Sequence, residues 1–91
     1  MADIHIEKKH SLGKAGARSA VEDVARQIEK SLQITYGWDG DTLKFERPGA
    51  NGAIGVTDST VAVDIELGMM LSPFRSMVEQ QVESYLNKYL A

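Results

Sequence analysis

The chain of 91 residues has no cysteine, two prolines and one tryptophan. Without cysteine it forms no disulfide and offers no thiolate to a metal or a substrate, which is compatible with a reducing cytoplasm. No run approaches the roughly 20 apolar residues of a membrane span, and the opening segment "MADIHIEKKH" has no apolar core of signal-peptide length. We therefore expect a single cytoplasmic domain over residues 1–91, with one modest core and no membrane span.

An excess of positive charge is also missing. The chain has 10 Lys and Arg against 13 Asp and Glu, a formal net charge of -3, and a pI of about 5.3. Because an acidic protein repels the phosphate backbone, we expect no general nucleic-acid binding. Residues 1–18 differ from the rest, since their basic side chains outnumber their acidic ones. A solvated surface is sufficient to explain so mild an asymmetry.

Apolar residues recur with two different periods. From about Lys14 to Leu32 they return every three or four residues, which predicts an amphipathic helix. Alternation predicts a short strand in "DIHIEK" and four more strands between Ile34 and Leu67. The segments "DGD", "RPGANG" and "TDS" interrupt this alternation and predict the turns of a meander.

A second helix is predicted at the end of the chain. Ser72 can cap its first turn, and Pro73 suits that turn because its missing N–H costs nothing there. The residues that follow form an apolar stripe, which we expect to bury against the sheet: Phe74, Met77, Val78, Val82, Tyr85, Leu86, Tyr89 and Leu90.

The order of these elements predicts an α+β fold, β-α-β-β-β-β-α. We expect an antiparallel sheet of about five strands, with both helices packed on one face and the first strand beside the last. Polar residues alternate with the apolar ones along the strands, so the other face of the sheet should meet water. The same order occurs in helix-grip domains, where a curved sheet wraps a long terminal helix. Any cavity in so short a chain should be small.

Groups that could carry catalysis or bind a metal are few. His5 and His10 are the only imidazoles, and His10, in the loop before the first helix, could act as a general acid or base beside Asp39 or Asp41. Local packing of this loop histidine is the simpler interpretation. The segment "DGD" lacks the further oxygen ligands of an EF-hand, and "GANGAIG" lies between two predicted strands rather than before a helix. The sequence predicts no metal, no cofactor and no reaction.

Two cations lie close to the start of the first predicted helix. There Lys14 and Arg18 oppose the helix dipole, so they gain nothing from it. Together with His10 and the helix N–H groups they form a candidate site for an anion, such as the phosphate or carboxylate of an acyl metabolite. The pattern matches no P-loop, and plain solvated charge is the alternative.

The segment "LGMMLSPF" is a candidate contact surface. Gly68 should end the last strand, which leaves Met69, Met70 and Leu71 in a short connection before the helix. Connections run on the surface, and three consecutive apolar residues cannot all point inward. Methionine adapts well to irregular apolar partners. Either Met70 and Leu71 close the end of the core, or the three residues together with Phe74 form an apolar lip for a partner.

Several segments spread over nearly the whole chain resemble the small bacterial polyhydroxyalkanoic acid system proteins. The resemblance rests on an ordered set rather than on any one motif: Ile4, Ile6, Lys8 and His10; Leu12-Gly13 and Ala17-Arg18; Trp38, Gly40-Asp41, Leu43, Phe45 and Arg47; Gly49, Gly52 and Ile54; Leu67-Gly68, Leu71 and Pro73. It implies a role in making and storing polyester granules in the cytoplasm. It implies no catalytic residues.

Three functions are therefore open. The first is a non-enzymatic accessory protein that contacts a granule surface or a granule-associated protein through the lip. The second is a small-ligand binder or enzyme that holds an anionic acyl metabolite at His10, Lys14 and Arg18. In the third, the lip is the interface of a homodimer.

Overall fold

The computed structural model describes residues 3–90. Its elements follow the predicted order, with a short 3₁₀ turn inserted before the last helix. They are β1 (Ile4–Lys9), α1 (Gly13–Leu32), β2 (Thr35–Asp39), β3 (Thr42–Arg47), β4 (Ala50–Val56), β5 (Thr60–Leu67), the 3₁₀ turn Ser72–Phe74 and α2 (Arg75–Leu90).

The five strands form one antiparallel sheet in the order β1-β5-β4-β3-β2. Strands β2 to β5 are a meander of hairpins, and β1 returns to pair with β5, with Ile4 opposite Ile65. The predicted fold class and the predicted position of the first strand are both confirmed. β1 and β2 are the two edge strands, so each has a single neighbour in the sheet.

The core lies between one face of the sheet and the two helices. α1 contributes mainly small side chains, including Ala17, Ala20 and Ala25, together with Val21, Val24 and Ile28. Small residues let the helix approach the sheet closely. α2 contributes Val82, Leu86 and Leu90. Since each large buried apolar side chain stabilises the fold by about 1.5–3 kcal/mol, both helices are needed for stability. The alternate strand positions, such as Lys44, Glu46 and Glu66, are exposed on the opposite face.

The start of α2 differs from the prediction. The α-helix begins at Arg75, after the 3₁₀ turn. Ser72 does not cap it, because the Ser72 hydroxyl instead donates a hydrogen bond of 3.1 Å to the carbonyl of Met69. Phe74 and Met77 were predicted to be buried and are 47% and 58% exposed. Both side chains line a gap between this end of α2 and the sheet, and the buried residues of α2 begin only at Val82.

Over the described part of the chain, neither helix combines the length and the apolar character that crossing a membrane requires.

Candidate functional site

The connection between β5 and α2 is held against the turn between β3 and β4. The N–H of Gly68 donates a hydrogen bond of 2.6 Å to the carbonyl of Gly49. Gly49 has a φ of +89°, which glycine adopts without strain. A Cβ at Gly49 would lie 3.2 Å from Cδ1 of Leu71, so the leucine side chain packs directly over this glycine. The two glycines thus fix where the connection leaves the sheet, and they direct Leu71 inward.

Met69 and Met70 point the other way. They are 90% and 86% exposed, so their side chains contribute almost nothing to the core. Phe74 and Met77 continue the same exposed surface onto the 3₁₀ turn and the first turn of α2. We call Met69, Met70, Leu71, Phe74 and Met77 the apolar rim. Each of the two sequence-based interpretations therefore holds for part of this segment. Leu71 packs on the protein, and the two methionines before it face solvent.

Sequence reasoning missed Met77 as a member of the rim. Its position in the helical stripe indicated burial, and no local signal contradicts that. The spacing of Phe74 and Met77, three residues apart, places both on one face of the helix start. That spacing indicates that they share a surface, but it does not say whether the surface is covered.

A cavity of about 190 Å³ lies behind the rim. Its walls come from the C-terminal part of α1, one end of the sheet and the N-terminal part of α2. Leu71, Phe74 and Met77 line it from the rim side. Almost every other lining residue is apolar, and the two exceptions are Arg47 and Gln81. The cavity is therefore apolar, with polar side chains at two places in its wall.

Arg47, the last residue of β3, is held by backbone carbonyls. Its Nη1 donates a hydrogen bond of 2.8 Å to the carbonyl of Leu32 at the end of α1, and its Nε donates one of 3.2 Å to the carbonyl of Pro48. Within residues 3–90, no carboxylate oxygen lies within 4.0 Å of a guanidinium nitrogen of Arg47. A guanidinium has five N–H donors, so donors remain available beside the cavity.

His10 is fixed by its own loop. The N–H of Leu12 donates to Nδ1 of His10 at 3.1 Å, and Nε2 lies 3.1 Å from the carbonyl of Thr57. Both ring nitrogens of His10 therefore already have a partner in the backbone. His10 thus joins the loop before α1 to the turn between β4 and β5.

The side chains of Lys14 and Arg18 lie close together, as the candidate anion site requires. Both of them contact a carboxylate of the same chain. Asp41 lies 2.9 Å from Nζ of Lys14 and 3.4 Å from Nη1 of Arg18. The hydrogen bond to Asp41 and its charge raise the pKa of Lys14. The Arg18 guanidinium also lies 4.4 Å from the centre of the Trp38 ring. All these side chains are partly exposed, so an external anion would have to compete with Asp41.

A polar cluster that sequence reasoning did not identify joins α1 to β2. Glu22 accepts hydrogen bonds of 2.7 Å from both the Trp38 indole and the Tyr36 hydroxyl. These two bonds, that of Trp38 first, lower the pKa of Glu22. The available signal was the alternation of Tyr36 and Trp38, which puts both on the face that α1 covers. The cluster attaches β2 to α1.

The outer face of the sheet carries a wider depression of about 620 Å³, lined by side chains of both signs. Lys44 pairs there with Asp39 at 3.1 Å, and Asp64 pairs with His5. Its mixed charge selects no particular ligand. Among residues 3–90 there is also no group of three or more His, Asp or Glu side chains placed to hold a metal ion.

Comparison with known proteins gives one match. The model of the family described as "Putative polyhydroxyalkanoic acid system protein" matches residues 4–90. Searches of the curated proteins and of the solved structures each found no match. The matched region includes β5, α2, the rim between them and every residue that lines the cavity.

Proposed function

The chain belongs to the polyhydroxyalkanoic acid system protein family, and from this premise we propose that it is a non-enzymatic accessory protein of polyhydroxyalkanoate storage. In this proposal it works in the cytoplasm, where its apolar rim contacts the surface of a polyester granule or a protein bound to that surface. The single observation that carries the proposal is the exposure of Met69 and Met70 at 90% and 86%.

The form of the rim suits such a contact. Its methionines are flexible and polarizable, so they can adapt to an apolar surface that has no fixed shape. The surface of a polymer is of this kind. Its base is rigid, because the bond between Gly68 and Gly49 and the packing of Leu71 anchor it to the sheet. Adjacent exposed apolar side chains mark interaction surfaces more often than isolated ones do.

Co-sedimentation with granules tests this role. Wild-type protein should pellet with native granules, and the double variant Met69→Asp/Met70→Asp should remain in the supernatant. The matched control is Ser11→Asp/Gln80→Asp, which adds the same charge at two exposed positions outside the rim and should pellet like wild type. Circular dichroism confirms that each variant is folded. If wild type and the rim variant are recovered equally in the supernatant, the proposal is wrong.

A second arm separates the two partners that the proposal includes. Polyester particles prepared without protein are used in place of native granules. Pelleting of wild type with the bare particles indicates direct contact with the polymer. Pelleting with native granules alone indicates a granule-bound protein as the partner.

Binding of an anionic acyl metabolite at His10, Lys14 and Arg18 is the alternative proposal. The convergence of Lys14 and Arg18 favours it, and the ion pairs with Asp41 weaken it. Titration with acyl-CoA and with hydroxyacids should then shift the NMR amide signals of residues 10–18, and Asp41→Asn should strengthen the binding. No shift at millimolar ligand would contradict this alternative.

The third proposal is a homodimer in which two copies bury their rims against each other. Sedimentation velocity distinguishes it, because wild type should then sediment as a dimer and Met69→Asp/Met70→Asp as a monomer. Identical sedimentation of the two proteins as monomers would exclude the dimer.

A further inference from the structure

The contact proposed above is carried by the exposed side chains of Met69 and Met70, which do not line the cavity behind the rim. We propose that this cavity binds a linear medium-chain carboxylate of about six to eight carbons, with its alkyl tail among the apolar walls and its carboxylate on Arg47. This inference goes beyond the accessory role and does not depend on it.

The volume sets the size of the tail. An apolar protein cavity of about 150 Å³ binds benzene, which has six carbons. The cavity here, at about 190 Å³, therefore holds a chain of about seven carbons on the same scale. A polymer chain or a long lipid would not fit.

The character of the walls selects an alkyl group. Ile28 and Leu32 of α1 line one side, Ile65 and Leu67 of β5 another, and Val78 and Val82 of α2 a third. A cavity with such walls offers water too few hydrogen-bond partners, so an alkyl chain is favoured over water.

Arg47 supplies the charge complementarity. Its side chain lines the cavity, and its guanidinium has donors beyond those used by the carbonyls of Leu32 and Pro48. Those two bonds hold the guanidinium in place before any ligand arrives, which suits bidentate binding of a carboxylate. Across residues 3–90 it has no ion-pair partner of its own. It thus differs from Lys14 and Arg18, which both form an ion pair with Asp41.

The entrance to the cavity lies at the rim. Phe74 and Met77 line the cavity and are also about half exposed, so they stand between the interior and solvent. Both have flexible or flat side chains that can move aside without a change in the backbone.

Titration of the full chain with sodium octanoate, followed by NMR and calorimetry, tests the proposal. We expect saturable binding with a dissociation constant of about 1 mM or below, and shifts of amide signals around the cavity. Affinity should rise about fourfold for each methylene from butanoate to octanoate, and then level off once the cavity is full. If the folded protein shows no saturable binding at octanoate concentrations ten times above that expected dissociation constant, the proposal is overturned.

Two arginine variants test the head group. Arg47→Met should weaken octanoate binding by about tenfold or more, because it removes the charged donors. Arg75→Met is the matched control, since the Arg75 side chain bonds to the backbone carbonyl of Asp3 and does not line the cavity. It should bind like wild type. As a further probe, 1-octanol should bind more weakly than octanoate. Equal affinities for the two probes, or equal losses in the two variants, overturn the role of Arg47.

Filling the cavity tests the position of the tail. Val78→Phe fills it from α2, and Ala50→Leu fills it from the sheet, so the result does not depend on one variant folding. Each folded variant should lose octanoate binding while it keeps Met69 and Met70 exposed. Its pelleting with granules should be unchanged, which separates failure of this proposal from failure of the accessory role. Unchanged octanoate binding in a folded cavity-filled variant places the ligand elsewhere and overturns the proposal.

Discussion

The indole Nε1 of Trp38 donates a hydrogen bond of 2.7 Å to Oε1 of Glu22. The other carboxylate oxygen accepts one of the same length from the Tyr36 hydroxyl. Both donors come from β2, an edge strand with one neighbour in the sheet. The pair of bonds therefore attaches this edge strand to α1, in addition to the apolar contacts beneath it.

Glu22→Gln should destabilise the protein by about 1–2 kcal/mol, because a neutral amide accepts these bonds less strongly and cannot accept with both of its terminal atoms. Glu29→Gln is the control, since it makes the same change at an exposed position of α1. It should change the free energy of unfolding by less than about 0.5 kcal/mol. Urea unfolding at pH 7 measures both. Equal effects of the two changes would contradict a special role for Glu22.

The same carboxylate makes stability depend on pH. The pKa of Glu22 is lowered in the folded protein by its bonds to Trp38 and Tyr36. Its contribution should therefore be complete above the ordinary glutamate pKa near 4.5, and it should be lost as the pH falls through the lower, folded value. The difference in unfolding free energy between wild type and Glu22→Gln should shrink between pH 6 and pH 3. A difference that is constant over this range would contradict the assignment.

His5 should titrate above its ordinary pKa of 6.5. Its Nδ1 lies 2.5 Å from a carboxylate oxygen of Asp64, and this hydrogen bond, followed by the charge of Asp64, raises the pKa of His5. The stabilisation from a raised pKa is complete below pH 6.5, and it is lost as the pH rises through the folded value. NMR titration of the two histidine rings measures this directly. Asp64→Asn should return the pKa of His5 toward 6.5; an unchanged His5 titration in that variant would contradict the pairing.

Gly52→Ala should destabilise the protein by about 1–3 kcal/mol through overpacking. A Cβ at Gly52 would lie 2.5 Å from Cζ of the Phe45 ring and 2.8 Å from the backbone carbonyl oxygen of Asp64. Gly55, in the same strand, has nothing within 4 Å of such an atom. Gly55→Ala is therefore the control, and it should be neutral or stabilising by up to about 1 kcal/mol. Thermal unfolding of both variants checks the difference, and similar melting temperatures would contradict it.

Neighbouring residues of the rim should differ sharply in their effect on stability. Leu71→Ala should cost about 1–2 kcal/mol, because the half-buried leucine packs over Gly49 and lines the cavity. Met70→Ala should cost less than about 0.5 kcal/mol, because that side chain is 86% exposed. Urea unfolding measures both values. A large loss in Met70→Ala would mean that this methionine serves folding rather than contact.

Sequence patterns predicted the fold well because they are local. The alternation around Ile4, Ile54 and Val63 is set by the pleat of each strand, so it predicts which face is buried without knowledge of the partner strand. The three- and four-residue spacing in α1 acts in the same way. The start of α2 was predicted less well, since whether Phe74 and Met77 are covered depends on how closely the helix approaches the sheet.

The sequence by itself determined the order of the elements, the antiparallel sheet with one solvent-exposed face, and the family. Each of these follows from residues close together in the chain or from their ordered set. Only the tertiary structure decided that Asp41 pairs with the cations of α1 and that Met69 and Met70 face solvent. It also decided that Glu22 joins two aromatic side chains and that Arg47 lies beside an apolar cavity. Those contacts join residues from different elements, and their geometry follows from packing, which no local period encodes.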